Sequence, residues 1–490
     1  MTMRSKKKKT PACVCTMSSI TKRIFSDKMF LPSSIILYNV KRLHIIKLKN
    51  RLSSLSSVKY NNTGNANSST ILSRIGFESY YRIRSNIESL IQDMSKRPLP
   101  RLDYDFLMKY IPATNNKFSP NQKYIMNIQY MNMLLVMTCQ QLDLIQKIPY
   151  IVLLNPKIEL THSLYLKTLQ SLLSFNYPYD LYDQEKMRMI MEQFLNDHED
   201  TLLTLSTGLQ EVLEHNSKFN NNINYESLIT QFLNKHLLIR IKMKLIATHY
   251  LRLMEQENNN NNLSGDGFQK QVGILDSQVN VNKLIKHNFD FVIDMCHLQY
   301  DPTLLPELTI TSINAEREET NQKNKDITVP MVPIIFEYIM TEILKNSIRA
   351  SIENSIKLKK LSGPLNSQIN INIYKERKDY SNEIIVKISD QGGGIKPSIE
   401  PHIFDYSYTT LNNKHIRKRK SSDNKSDISE EDSNLFGDIQ PTNNNIAGMG
   451  FGLPLCKLYL KLFGGKLEIQ NLYGYGTNAY LTIPLPQWYK

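Results

Sequence analysis

The sequence predicts an α+β protein, an N-terminal all-α helical bundle followed by an α/β domain with a mixed, mostly antiparallel sheet. Three observations carry that expectation. Residues 77 to about 257 place apolar side chains at helical spacing with few strand signals. From about residue 275, short β-branched runs alternate with helical stretches. In that second half three blocks follow in order: Glu-Ile-Leu-Lys-Asn-Ser-Ile-Arg-Ala at 342–350, Asp-Gln-Gly-Gly-Gly at 390–394 and Gly-Met-Gly-Phe-Gly-Leu at 448–453.

In order along the chain, Tyr124 to Ile148 and Leu228 to Leu253 are long amphipathic helices, and several such helices at 77–257 bury a common core as a four-helix bundle. Asn258 to Asn262, followed by Ser-Gly-Asp-Gly, reads as a linker over 258–274. The second domain, 275–490, is expected to hold a helix at Val281 to Cys296, a strand at Glu307 to Ile313 and a helix at 334–353. Strands at 368–374 and 383–389 follow, then a helix at Leu453 to Phe463 and strands over 466–485 around the Gly474-Tyr-Gly turn. One face of the sheet should carry the helices. Residues 412–445 hold Arg417-Lys-Arg-Lys420 and then Ser, Asp and Glu, a composition that builds no core. Ser421, Ser422, Ser426 and Ser429 sit beside acids there; they read as keeping the loop soluble rather than as modification sites.

The three blocks carry distinct chemistry. At helical spacing Glu342 and Asn346 share a face, with Lys345 and Arg349 close by. That set suits ATP, because Mg²⁺ takes hard oxygen ligands, phosphates need positive charge, and a carboxylate can align an attacking hydroxyl. Alone, the helix reads equally as an amphipathic helix with a solvated charged face. Asp390 ends the β-branched run Glu383 to Ser389, and a carboxylate there can accept a bond from the adenine amine while Gly392, Gly393 and Gly394 turn the backbone close to a ligand. Alone, that segment is an ordinary turn. Gly448, Gly450 and Gly452 directly precede a helix whose free amides suit phosphate. Together, in this order, the blocks specify an ATP site. The Gly-x-x-x-x-Gly-Lys-Ser/Thr loop and the His-Arg-Asp and Asp-Phe-Gly signatures are missing, so neither a P-loop nor the ordinary protein-kinase fold accounts for it.

The pattern resembles the GHKL superfamily, whose Bergerat ATP-binding α/β sandwich serves gyrase, MutL-type repair ATPases, a heat-shock chaperone, histidine kinases and the mitochondrial 2-oxo acid dehydrogenase kinases. The last group, which spans pyruvate dehydrogenase kinases and branched-chain 2-oxo acid dehydrogenase kinases, is the most similar. Phe404-Asp-Tyr-Ser-Tyr-Thr-Thr410, Gly450-Phe-Gly-Leu-Pro454 and Gly474-Tyr-Gly-Thr-Asn-Ala479 resemble its ATP segments. Phe232-Leu-Asn-Lys with Arg240 to His249, and Asn155-Pro with His162-Ser-Leu-Tyr165, resemble its helical half. The resemblance covers roughly 77–490, with inserts.

This resemblance implies a serine kinase using ATP and Mg²⁺. It acts on the alpha subunit of the decarboxylating component of a 2-oxo acid dehydrogenase complex, docks on the lipoyl domain of the transacylase core, and forms a homodimer. It implies Glu342 as the catalytic carboxylate and Asn346 as the Mg²⁺ ligand. Lys345 and Arg349 would hold phosphates, Asp390 the adenine amine and Thr477 the adenine. Thr409, Thr410, Gly392, Gly394, Gly448, Gly450, Gly452 and Leu453 complete the ATP pocket, and 412–445 enlarges its lid. Two departures bear on this. Tyr338 stands where pyruvate dehydrogenase kinases usually have His, which is similar to the branched-chain enzyme. The C-terminus, Pro486-Gln-Trp-Tyr-Lys490, lacks the Asp-Trp tail through which some family dimers cross.

The formal charge of +14 would suggest a nucleic-acid or membrane-surface partner. Its location removes that argument: residues 1–77 hold fifteen Lys or Arg against the single acid Asp27, and the remainder balances. That Ser-rich, acid-poor segment, with basic residues along Ile35 to Leu48, reads as a mitochondrial presequence over 1–76, for import to the matrix. Lys6 to Lys9 alone would also fit a basic tail or nuclear signal. No stretch is long and apolar enough to predict a membrane span. Cys13, Cys15, Cys139, Cys296 and Cys456 show no Cys-x-x-Cys pair, which disfavours zinc and a disulfide framework.

Rival functions leave weaker marks. His198-Glu-Asp is the single local hint of a histidine kinase, and Leu195 to Leu205 around it reads as one amphipathic helix. ATP-gated chaperone or repair proteins carry further domains after the ATP site. A binding-only pseudokinase conflicts with the presence of Glu342, Asn346 and Asp390.

Overall fold

The computed structural model describes residues 85–110, 118–177, 179–218, 225–259, 271–297, 300–314, 326–362, 367–378, 381–406 and 450–489. The expected presequence 1–76 and lid insert 412–445, with Thr409, Thr410 and Gly448, lie outside them, as does most of the 258–274 segment. By contacts the chain divides into two units. The smaller is Met1–Ile87 with Leu173–Asp183, whose described part includes the 3-10 turn Tyr179–Tyr182. The larger, Glu88–Leu172 with Gln184–Lys490, holds the bundle and the sheets.

Helices α1 (residues 85–95) and α2 (Tyr104–Leu107) precede α3 (Pro120–Gln146). The start of α3 is fixed by a capping box, with the Ser119 hydroxyl accepting from the Gln122 amide and Pro120 in the first turn. After α4 (Tyr150–Leu153) and α5 (Pro156–Leu173) come α6 (Gln184–Asp197), α7 (Thr201–Lys218) and the long α8 (Tyr225–Asn259). Helix α8 is the bundle's axis and packs on α3, α6 and α7. Tyr130 and Tyr250 meet with ring centroids 5.5 Å apart, and the Tyr250 hydroxyl donates to Asn127 at 3.0 Å. Burying side chains as large as Tyr130, Leu134, Met137 and Tyr250 contributes about 1.5–3 kcal/mol for each aliphatic-sized side chain. Asn258 and Asn259, expected in the linker, still belong to α8.

The single helix expected across Leu195 to Leu205 is corrected by the structure: α6 ends at Asp197 and α7 begins at Thr201. The cause is Arg240 of α8, whose Nη2 donates to the carbonyls of His198 at 2.9 Å and Glu199 at 3.2 Å. A cation on those terminal carbonyls stabilises a helix end there, and single-sequence periodicity does not see it.

Strands β1 (Gln271–Val272), β2 (Leu275–Asn280) and β4 (Thr328–Met331) form a small antiparallel sheet that the sequence reading did not include. Its first turn has Gly273 at φ 57°, where a Cβ would meet His249 Nδ1 at 2.1 Å. The main sheet has the order β3-β5-β6-β8-β7, from β3 (Glu307–Asn314), β5 (Gln368–Lys378), β6 (Ser381–Ser389), β7 (Lys466–Leu472) and β8 (Gly476–Pro484). Only the β3–β5 pair is parallel, as the mixed, mostly antiparallel expectation requires. Ile369, Ile371, Ile373, Ile384, Val386, Ile388 and Leu481 alternate onto one buried face. Helices α9 (Val281–His297), α10 (Pro333–Ser362) and α11 (Gly452–Leu462) complete the domain, α10 packing on α9, α11 and β5.

Candidate active site

Helix α10 presents the first block. Glu342 and Lys345 pair at 2.5 Å, with side chains 12% and 17% exposed. Asn346 is exposed, one residue beyond. Arg349 points along its own helix and binds Glu353 at 2.9 Å, away from the Glu342–Lys345 pair.

Asp390 sits where β6 ends, and its carboxylate organises the second block. Oδ1 accepts from the amides of Gly392 at 2.9 Å and Thr477 at 3.1 Å. Oδ2 accepts from the Thr477 hydroxyl and from Ser347 Oγ at 3.2 Å. Asp390 N donates in turn to Thr477 O at 3.0 Å. The carboxylate therefore ties α10, β6 and β8 together. A ligand amine binding it takes the place of a rotatable hydroxyl, Ser347 or Thr477, since its four lone-pair positions are engaged.

The glycine turn beyond Asp390 is clamped onto the β7–β8 hairpin. Gly393 N donates to Tyr475 O at 3.1 Å, and Gly474 N donates to Gly393 O at 2.9 Å. Gly394 has φ 71°, and a Cβ there would meet the Leu472 carbonyl at 2.6 Å, so position and space both demand glycine. Asn354, one face further along α10, donates to Gln391 O at 2.9 Å.

The third block begins α11. Gly450 has φ 77°, and no side chain caps the helix at Phe451, which leaves the Gly452 and Leu453 amides at the helix start. A Cβ on Gly452 would lie 2.4 Å from Glu342 Oε2, so the helix start and the α10 carboxylate are in direct apposition. Beneath them lies Cys456, whose thiol is pushed well above its usual range by burial and then by the Glu342 charge.

The structure thus brings together Glu342, Lys345 and Gly452 on one side, and Asp390, Gly392 and Thr477 on the other. Gly394 underlies the turn, Asn346 is solvent-facing, and Arg349 is drawn off by Glu353. Sequence reasoning missed Ser347 and Asn354, which fasten Asp390 and its turn to α10. The only signal for either was its small polar character, Ser347 inside the first block and Asn354 one turn past its end.

A layered sheet with α10 between a strand-end aspartate and a glycine-flanked helix start defines an ATPase domain of the GHKL class. Residues 331–487 match the family model described as histidine kinase-, DNA gyrase B-, and HSP90-like ATPase. Residues 101–276 match the model of mitochondrial branched-chain alpha-ketoacid dehydrogenase kinase. The chain is 39% identical over 416 residues to [pyruvate dehydrogenase (acetyl-transferring)] kinase 1, mitochondrial, of Saccharomyces cerevisiae, covering 85% of this chain and 92% of that one. It is 26% identical to the Arabidopsis thaliana pyruvate dehydrogenase kinase, over 69% of this chain and 79% of that one. To the human isozyme 1 it is 24% identical, over 69% and 68%. The chain belongs to the mitochondrial 2-oxo acid dehydrogenase kinase family, a mitochondrial, ATP-using group of protein kinases.

Proposed function

We propose that this kinase transfers the γ-phosphoryl group of Mg-ATP to a serine hydroxyl on the alpha subunit of a decarboxylating dehydrogenase in the mitochondrial matrix, and so inactivates it. The observation that carries this reading is the apposition of Glu342 Oε2 and Gly452, which sets a carboxylate at the helix start where phosphate is favoured. The pyruvate complex is the proposed target, because the relative with 39% identity is named for it. The family model over 101–276, named for the branched-chain enzyme, makes the branched-chain complex the comparison.

The donors fit Mg-ATP. Asn346 would supply one protein oxygen to Mg²⁺, which is held mainly through the phosphates. Bound there, Mg-ATP supplies the transferable phosphoryl group and neutralises charge on it. Asp390 accepts from the adenine amine, supported by Thr477, while Gly392 and Gly394 keep the backbone close. The Gly452 and Leu453 amides and Lys345 face phosphate, with Gly450 shaping the turn before them. Arg349 joins after releasing Glu353, and by similarity to the family Thr409, Thr410 and Gly448, which lie outside the described residues, would complete the pocket. Glu342 aligns the serine hydroxyl and takes its proton on a carboxylate oxygen as attack proceeds. Lipoyl-domain docking and a homodimer are part of the same proposal, by similarity to the family.

The histidine-kinase alternative is disfavoured by geometry. His198 is 4% exposed, and its two ring nitrogens engage Thr168 Oγ1 at 2.7 Å and Thr201 Oγ1 at 3.2 Å. The test is transfer of labelled γ-phosphate by the full chain to pyruvate and branched-chain decarboxylating subunits side by side, with Glu342→Gln and Asn346→Ala as controls. Acid-stable serine label on the pyruvate subunit, lost in both controls, is the expected result. Label on the branched-chain subunit alone would reassign the target, and no label on either would refute the kinase mechanism.

A further inference from the structure

The short segment 404–406 joins the ATP domain to the bundle. The 3-10 turn Glu400–His402 leads into it, and the Asp405 amide donates to His402 O at 3.0 Å. Lys457 of α11 stands over the Phe404 ring, its Nζ 4.6 Å from the centroid. The Tyr406 ring packs on Phe451, the residue at the head of α11, with centroids 5.5 Å apart. Its hydroxyl donates to Asn234 Oδ1 on α8 at 2.7 Å, and burial raises that phenol's pKa, so it remains a donor at neutral pH.

The head of α11 has little of its own to fix it. No side chain caps it, and Gly450 and Gly452, which leave the backbone free, flank Phe451. The anchor is the Phe451 ring, 1% exposed, on which Tyr406 rests. Because Gly452 stands directly against Glu342 Oε2, any shift of this head moves the Gly452 and Leu453 amides relative to that carboxylate.

We propose that Tyr406 is a positioning residue for phosphoryl transfer: bonded to Asn234 and packed on Phe451, it sets the start of α11 from helix α8 of the bundle. It acts through Phe451 on the amides that face phosphate, and it rests on that reading of them. Adenine is assigned to Asp390 and Thr477, on other elements, so loss of the Tyr406 bond falls on the transfer rate rather than on nucleotide affinity.

Single-turnover transfer from prebound ATP by the full chain tests it in Tyr406→Phe, Asn234→Leu, the two combined, and Asn234→Asp. Tyr406→Phe keeps the ring on Phe451 and removes only the bond. Each of the first two should slow transfer about fivefold, the scale of one net hydrogen bond, with nucleotide affinity and melting temperature nearly unchanged. The combined variant should be no slower than either, and Asn234→Asp, which keeps the acceptor, should transfer at the native rate. Losses that multiply in the combined variant, native transfer by Tyr406→Phe, or Asn234→Asp as slow as Asn234→Leu would overturn the proposal. So would a slowing that merely follows the melting temperature. Hydrogen exchange at the Leu455 and Cys456 amides is followed on the same proteins, and should quicken in Tyr406→Phe and Asn234→Leu but not in Asn234→Asp. If the native chain transfers no phosphate, the function reading fails, while unchanged exchange in Tyr406→Phe would show that Tyr406 does not hold α11.

Discussion

Gly452 is glycine because Glu342 occupies the space its side chain would need: an added Cβ would stand 2.4 Å from Oε2. Gly452→Ala must therefore displace the carboxylate or the start of α11. Phosphate transfer is expected to fall about 100-fold, the usual scale for a displacement of about 1 Å at a reacting centre, with a much smaller change in nucleotide affinity. Single-turnover rates and a fluorescent-nucleotide titration separate the two.

Asp390 accepts from three residues on separate segments, so its loss is both structural and functional. Asp390→Ala leaves the part-buried Gly392 and Thr477 amides without their acceptor, at about 1 kcal/mol for each. The variant should melt several degrees lower and lose ATP binding. Asp390→Asn, which turns an N–H toward one of those donors, should do the same more mildly. Calorimetry with and without ATP reads both effects.

Three buried histidines make the bundle acid-sensitive. Burial lowers His198 to about 4, where Arg240 adds to the effect, and lowers His236 and His249 to about 3. The unfolded chain protonates them near the ordinary value of about 6.5, while the folded chain keeps them neutral. Stability is thus complete above about pH 6.5 and is lost as pH falls toward about 4. Urea unfolding between pH 7.5 and 5 should show a falling midpoint, and His236→Phe should flatten that fall.

Arg240 ends α6 from a distance, through the carbonyls of His198 and Glu199. Arg240→Met keeps most of the volume and removes the charge-assisted bonds, so a loss of about 2 kcal/mol is expected in chemical unfolding. Hydrogen exchange should quicken first at the α6–α7 turn.

The long elements were legible because their signals are local. The β-branched run 383–389 reappears in β6, and the helices at 334–353 and Leu453 to Phe463 reappear as α10 and α11 with shifted ends. The interruption at His198 was not legible, since it depends on a side chain some forty residues away in sequence. The little sheet of β1, β2 and β4 was missed for a similar reason: β2 pairs with β4 across a long sequence separation, and its two- to six-residue strands have too little pattern to read. At the site, spacing on one helix placed Glu342 beside Lys345. It also put Arg349 with them, and the Glu353 pair one turn further on shows why spacing alone does not fix a side chain's direction. Ser347 and Asn354 become meaningful only once the sheet brings Asp390 and Gln391 to them.

The central claim is that Glu342, set against the start of α11, acts on the substrate hydroxyl beside the phosphate. The most direct measurement is the single-turnover rate of phosphoryl transfer from prebound ATP in Glu342→Gln, with ATP affinity determined on the same preparation. The account requires intact binding with transfer reduced about 100-fold or more, in line with removal of a general base. Transfer at the native rate by a fully loaded Glu342→Gln would contradict it.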